Sequence, residues 1–137
     1  MRWSVGDKTT LEHKFTKSDV DAFIALTGDD NPIHVDETYA SKTEVGGCVV
    51  HGMLVASFIS TVVGKKIPGD GALWLSFNVN WKNPVRIDAD IIFEAVVLGV
   101  KKSTLTTDLA ITAKDKTSGT VYLEANATAM DMYKKKL

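Results

Sequence analysis

The sequence predicts an α+β fold in which one curved antiparallel sheet wraps around one long buried helix. Three observations carry the prediction. The segment HGMLVASFISTVVGKK, residues 51–66, has apolar side chains on every side, and a helix without a polar face must be enclosed by other structure. In ALWLSFNVNW, residues 72–81, Leu73, Leu75, Phe77, Val79 and Trp81 alternate strictly with Ala72, Trp74, Ser76, Asn78 and Asn80, the period of a half-buried strand. Three more strand-like stretches follow with only short turn signals between them, so they are expected to be antiparallel neighbours. Helices that precede the strands, rather than alternating with them, exclude a parallel βαβ architecture.

The elements follow in order. A first strand is expected near Thr10 to Phe15. Thr16, Lys17 and Ser18 supply N-cap candidates for a helix in which Val20, Phe23, Ile24 and Leu26 recur at helical spacing. Asp19 and Asp21 sit in its favoured first turn, and Gly28 ends it. Pro32 fixes its own φ and pushes Asn31 out of the helical region, so DDNPIHV is expected to be extended and stiff. Asp36 can cap a short helix, ETYASKT, and Gly46-Gly47 marks a mobile turn. After the apolar helix come strands over 72–81, 89–100, 104–114 and 120–132, separated by turns at Lys101-Lys102-Ser103 and Asp115 to Gly119. In the last strand Val121, Leu123, Ala125, Ala127 and Ala129 share one face, and their small side chains let a helix approach closely. With no repeat, linker or low-complexity stretch, residues 1–137 read as a single domain.

Charge narrows the function classes. With 16 basic against 17 acidic side chains, no overall field draws the chain to nucleic acid or an anionic membrane. The one basic run, Lys134-Lys135-Lys136, reads as a solvated tail. Cys48 is the only cysteine, which excludes an intramolecular disulfide and a multi-thiolate metal site and suits a reducing compartment. The first residues lack an apolar run with a small-residue cleavage site, so a cytoplasmic location is expected. The uncharged stretch from Gly52 to Gly64 is well short of the roughly 20 residues that a membrane-spanning helix needs.

The chemistry concentrates in TGDDNPIHVD, residues 27–36. If this stretch is extended, successive side chains alternate sides, so His34 points away from Ile33 and Val35 and is free to look into a cleft. Asp29 can fold back towards it, and Asn31 can fix the path between them through side-chain to backbone bonds. The pair would then bracket one water. Taken alone, the stretch reads more readily as an ordinary turn with an exposed, inert histidine. Gly52 adds weight to the chemical reading, because the first N–H groups of a helix lack intrahelical partners and welcome an anionic oxygen.

FIALTGDDNPIHVD resembles the hydratase motif of the MaoC-like dehydratases and (R)-specific enoyl-CoA hydratases, and VVHGMLVASFIS matches that family's second landmark at the start of a central helix. The resemblance runs in register over about residues 10 to 80 and continues more loosely as strand pattern. It implies a hot-dog fold, the helix as sausage and the sheet as bun, usually assembled as a homodimer. By that similarity Asp29 and His34 hold the water, the N–H of Gly52 receives the thioester oxygen, Asn31 supports the pair, and Ser60 aligns with a polar residue sometimes found lining the site. His51 reads mainly as the cap residue of the helix. Where relatives often carry Pro, and sometimes Arg, this chain has Gly46-Gly47-Cys48, which is expected to loosen the loop. Cys48 receives no role.

The activity implied is (R)-specific hydration of a trans-2-enoyl-CoA, reversible as dehydration of the 3-hydroxyacyl thioester. A dehydratase of acyl chains on acyl carrier protein is the runner-up, with Lys65, Lys66, Lys82 and Arg86 as cations that either carrier could use. A thioesterase or a non-catalytic acyl-thioester binding module on the same fold are the readings from other classes. No metal or redox cofactor is expected, because the sequence offers no convincing ligand cluster.

Overall fold

The computed structural model of the chain describes residues 2–132, and the basic run at Lys134, Lys135 and Lys136 lies outside them. In chain order the elements are β1 (Lys8–Lys14), α1 (Lys17–Thr27), α2 (Pro32–Val35), α3 (Glu37–Ser41), α4 (Gly52–Thr61), β2 (Ala72–Trp81), β3 (Asp90–Lys101), β4 (Thr106–Asp115) and β5 (Val121–Asp131). Helix α4 continues through a π-helical stretch over Val62–Lys66.

Helix α1 begins on a capping box: the Thr16 side chain accepts the Asp19 N–H, and the Asp19 carboxylate accepts the Thr16 N–H at 3.0 Å. His13 Nε2–H, on β1, also donates to Asp19 at 2.8 Å and so ties the sheet to the helix start. Gly28 closes α1 at φ 77°, with its N–H on the Ile24 carbonyl at 2.7 Å. Partial burial pushes the Asp19 carboxyl up, but the Thr16 N–H and His13 outweigh it and hold the group below its ordinary value. A carboxyl held low in the folded state contributes its full stability above about pH 4 and loses it as pH falls through the depressed value. Asp19→Ala is therefore expected to cost about 1 kcal/mol at pH 7, the size typical of a lost cap, and the difference from wild type should shrink in thermal melts taken progressively below pH 4.

The five strands form one antiparallel sheet in the order β1-β3-β4-β5-β2. Hairpins make β3, β4 and β5 neighbours, whereas β2 pairs with β5 at the far edge from β1. Leu54, Val55, Ala56 and Ile59 of α4 and Val62 and Val63 beyond it are buried in one apolar cluster with Phe93, Leu109, Ile111 and Leu123 of the sheet. The small face of β5 is part of it, with Ala125, Ala127 and Ala129 buried beside Leu123; Val121, expected on the same face, is taken off it by a bulge at Tyr122, which pairs Val121 with outward Lys114.

Three further expectations are corrected. The strict alternation of β2 is broken by a bulge at Leu75, since Trp74 pairs with Ala129 and Ser76 with Thr128. Directly paired residues share a face, so Trp74 lies with Phe77, Val79 and Trp81, opposite inward-facing Ala129, Ala127, Ala125 and Leu123. The Trp74 and Phe77 rings accordingly meet at 4.7 Å. Leu73 and Leu75 turn outward and are 51% and 49% exposed. Enclosure of α4 is likewise one-sided, because the sheet covers one flank only: Met53 is 58% exposed, and Ser57, Ser60 and Thr61 share the open side. Residues 32–35 are helical rather than extended. No helix among the described residues is long and apolar enough to cross a membrane.

Candidate active site

The path from α1 to α2 is built by local hydrogen bonds. The Asp29 N–H donates to the Thr27 hydroxyl at 3.2 Å, the Asn31 N–H to the Asp29 carboxylate at 3.3 Å, and the Ile33 N–H to the Asn31 side-chain oxygen at 3.1 Å. Asn31 itself keeps the non-helical backbone that a following proline demands, φ −46° and ψ 129°. Pro32 occupies the first helical position, where its missing N–H costs nothing and its fixed φ suits the turn. That is why the segment winds into one helical turn. His34 is consequently aimed by helical geometry and not by strand alternation.

Residues 49–52 arrive from the other side. The Val49 N–H donates to the Ile33 carbonyl at 3.1 Å and the Val50 N–H to the Val85 carbonyl at 2.8 Å, so this short segment is clamped between α2 and the chain before β3. His34 Nδ1 lies 2.7 Å from the Val49 carbonyl. A carbonyl can only accept, so Nδ1 carries the proton and the lone pair of the neutral ring is left on Nε2. The loop before this segment is pinned rather than mobile: Arg86 donates to the carbonyls of Val45 and Gly47, and the Cys48 N–H donates to the Glu37 carboxylate at 3.2 Å. Burial, with Glu37 adding to it, pushes the Cys48 thiol up.

Asp29 is exposed, His34 half-buried and His51 buried, and their ligand-type side-chain atoms all lie within 4.8 Å of one another. His51 is the residue whose part the sequence reading missed. It occupies the N-cap position of α4, yet its side chain caps nothing. Instead Nε2–H donates to the backbone carbonyl of Asp29 at 2.8 Å, and the ring stacks on His34 with centroids 3.7 Å apart and planes inclined by 26°. The available signal was a polar ring at the head of an otherwise apolar run. The cluster also departs from the expectation that no ligand set exists. Its geometry suits proton handling better than a metal, because stacked rings send their nitrogen lone pairs along nearly parallel planes rather than onto one ion.

Gly52 opens α4, where its N–H has no intrahelical acceptor by position. It and His34 line one cleft of ≈ 360 Å³ together with Ile33, Val50, Trp81 and Lys82. The Trp81 indole N–H donates to the Gly52 carbonyl at 2.9 Å, and a Cβ on Gly52 would meet that nitrogen at 2.9 Å, so the close approach requires glycine. The structure thus sets His34 and Gly52 on one cleft and the Asp29 carboxylate within 4.8 Å of the His34 ring, with Asn31 bonded into the turn between them; Asp29 and Asn31 are not among the residues lining the cleft. Ser60 stands apart: it is exposed, eight positions or about 12 Å further along the helix, and is not among the residues lining the cleft. Of the four cations considered, Lys82 borders the cleft, Arg86 is engaged by the loop, and Lys65 is paired with Asp70 at 2.5 Å.

Comparison with known proteins gives a consistent picture. The sequence pattern of the MaoC like domain matches residues 5–120. The (R)-specific enoyl-CoA hydratase of Rhodospirillum rubrum is 35% identical over 127 residues, covering 91% of this chain and 85% of that protein. The 3-hydroxybutyryl-CoA dehydratase of Methylorubrum extorquens is 42% identical over 88 residues, 64% of this chain but only 55% of its own length. Among solved structures, the (R)-hydratase from A. caviae involved in PHA biosynthesis superposes with a TM-score of 0.89 at 29% identity, over 94% of this chain and 97% of that one.

Proposed function

The chain belongs to the MaoC-like family, and from that premise we propose that it hydrates trans-2-enoyl-CoA to (R)-3-hydroxyacyl-CoA, and dehydrates the product in the reverse direction, with residues 1–137 acting as one domain. The observation that carries the reading is the position of His34, whose imidazole lies within 4.8 Å of the Asp29 carboxylate and which shares one cleft with Gly52 at the head of α4.

In this mechanism the thioester carbonyl oxygen accepts the Gly52 N–H. Water held by Asp29 and His34 loses a proton to that pair as its oxygen bonds to C3. The π electrons of the C2–C3 bond move towards the carbonyl, and the negative charge on its oxygen is stabilised by the N–H and the positive end of α4. The pair then delivers a proton to C2. Water has been added across the double bond, and no metal or redox cofactor takes part. Asn31 supports the pair by capping α2 and fixing the Asp29 side chain. Ser60 has no contact with the cleft in one chain, so any part it plays would require a surface brought by a second copy.

The test is loss of the enoyl absorbance of crotonyl-CoA in the presence of the protein, with a free-thiol reagent in a parallel sample. Hydration without thiol release is expected; thiol release without hydration would mean thioester hydrolysis instead. Turnover of the matched acyl-carrier-protein substrate is expected to be slower.

The chain is further proposed to act as a cytoplasmic homodimer, a location supported by its lone cysteine and an assembly supported by the exposed Leu73 and Leu75 of edge strand β2 and the exposed Met53 of α4. Sedimentation is expected to give about twice the 14.9 kDa chain mass, and Leu73→Asp/Leu75→Asp to give a monomer.

A further inference from the structure

We infer that His51 is the positioning residue of this site: it locks the Asp29 backbone and the His34 ring into one block, through a hydrogen bond to one and a stacked face against the other. The inference rests on the hydratase reading of Asp29 and His34.

Two of the three groups that must keep a fixed geometry are not otherwise tied to each other. Asp29 lies in an exposed turn, held by its bonds to Thr27 and Asn31, which are themselves exposed. His34 is held at Nδ1 by Val49, which fixes one ring atom but leaves rotation about that bond. His51 supplies both missing restraints. Its Nε2–H reaches across 22 positions of sequence to the Asp29 carbonyl, and its ring lies 3.7 Å from the His34 ring. The ring also meets Phe23 of α1, centroids 4.7 Å apart with the planes inclined by 57°. At 2% exposure it is a rigid wedge between α1, α2 and the head of α4, and it moves with Gly52, its neighbour in sequence.

A packing role alone would be met by an apolar ring. Here Nδ1 is buried and finds no donor among the described residues, so the polar ring is tolerated at the expense of one unmade bond, and the bond it does make is directed at Asp29. His51 touches the acid–base pair and not the reacting carbons, so its removal should disturb the transition-state arrangement more than substrate binding.

The experiment compares His51→Phe, which keeps the ring and loses the donor, with His51→Gln, whose amide nitrogen can replace Nε2–H. His51→Phe is expected to lower kcat by about 10–100-fold, the effect of a misplacement of order 1 Å, with KM changed less than about twofold; His51→Gln should recover most of that loss. If the Phe variant melts below the assay temperature, His51→Asn, whose donor falls short of Asp29, takes its place with the same expectation. Unchanged kcat in a folded Phe or Asn variant, or equal impairment of the Gln variant, overturns the inference. A second readout does not depend on turnover. The His34 Nδ1–H bonded to Val49 should exchange with solvent faster in His51→Ala, which removes the stacked face, than in wild type by proton NMR, and equal exchange rates would overturn the inference even if the wild-type protein proved inactive as a hydratase.

Discussion

Asp29→Asn and His34→Ala are each expected to lower kcat for crotonyl-CoA hydration by about 10²–10⁴, the usual worth of a positioned acid–base group, while the melting temperature stays near that of wild type. The small stability cost follows from where the groups sit. Asp29 is exposed, and the carboxamide of Asn retains an oxygen to accept the Asn31 N–H, so the turn survives while the base is lost. His34→Ala removes a half-buried ring and its bond to Val49, which is a greater loss of packing, yet Val49 keeps its backbone bond to Ile33. The double variant should be little worse than either single one, because residues that handle one proton inventory act as a unit. Steady-state kinetics with melts on the same preparations check both parts. Additive losses would show that the two groups act in separate steps.

Gly52→Ala is expected to lower kcat/KM by about 10²-fold, comparable to a misplaced reacting group, even though the N–H itself is retained. The new Cβ would meet the Trp81 indole at 2.9, 3.2 and 3.3 Å. The indole must move, which breaks its bond to the Gly52 carbonyl and shifts a wall of the cleft shared with His34. Relief is the diagnostic. Adding Trp81→Leu should restore part of the activity of Gly52→Ala, measured on the same substrate, whereas a defect confined to the amide would be unmoved by the second change.

What could be read from the chain and what could not divide along contact range. The capping box on α1, the αL glycine at position 28, the Asp36 cap and the small face of β5 are local chemistry, and each forms where its residue types predict. The Asp29, Asn31 and His34 grouping was legible for the same reason, since six consecutive positions and one proline fix most of its path. The conformation within it was misjudged because Pro32 was taken as a break in helix rather than as the first residue of one. The bulge at Leu75 left no mark in the alternation, because apolar and polar residues there happen to satisfy either phase. The pinning of Gly46-Gly47 depends on Arg86, about 40 positions away, and the contacts of His51 depend on the fold having brought α2 beside α4. Neither partner is marked by spacing in the sequence. The open flank of α4 carries Ser57, Ser60 and Thr61 beside Met53, and it was missed because small polar residues spaced along an apolar run read as interleaved packing positions rather than as an exposed face.

The central claim is that one carboxylate, one imidazole and the free N–H at the head of α4 add water to an enoyl thioester from a fixed side. Chiral analysis of the 3-hydroxybutyryl-CoA formed from crotonyl-CoA by the wild-type protein tests it most directly. The account predicts the (R) product as the sole enantiomer; a racemic or (S) product, or unreacted crotonyl-CoA with folded protein, would contradict it.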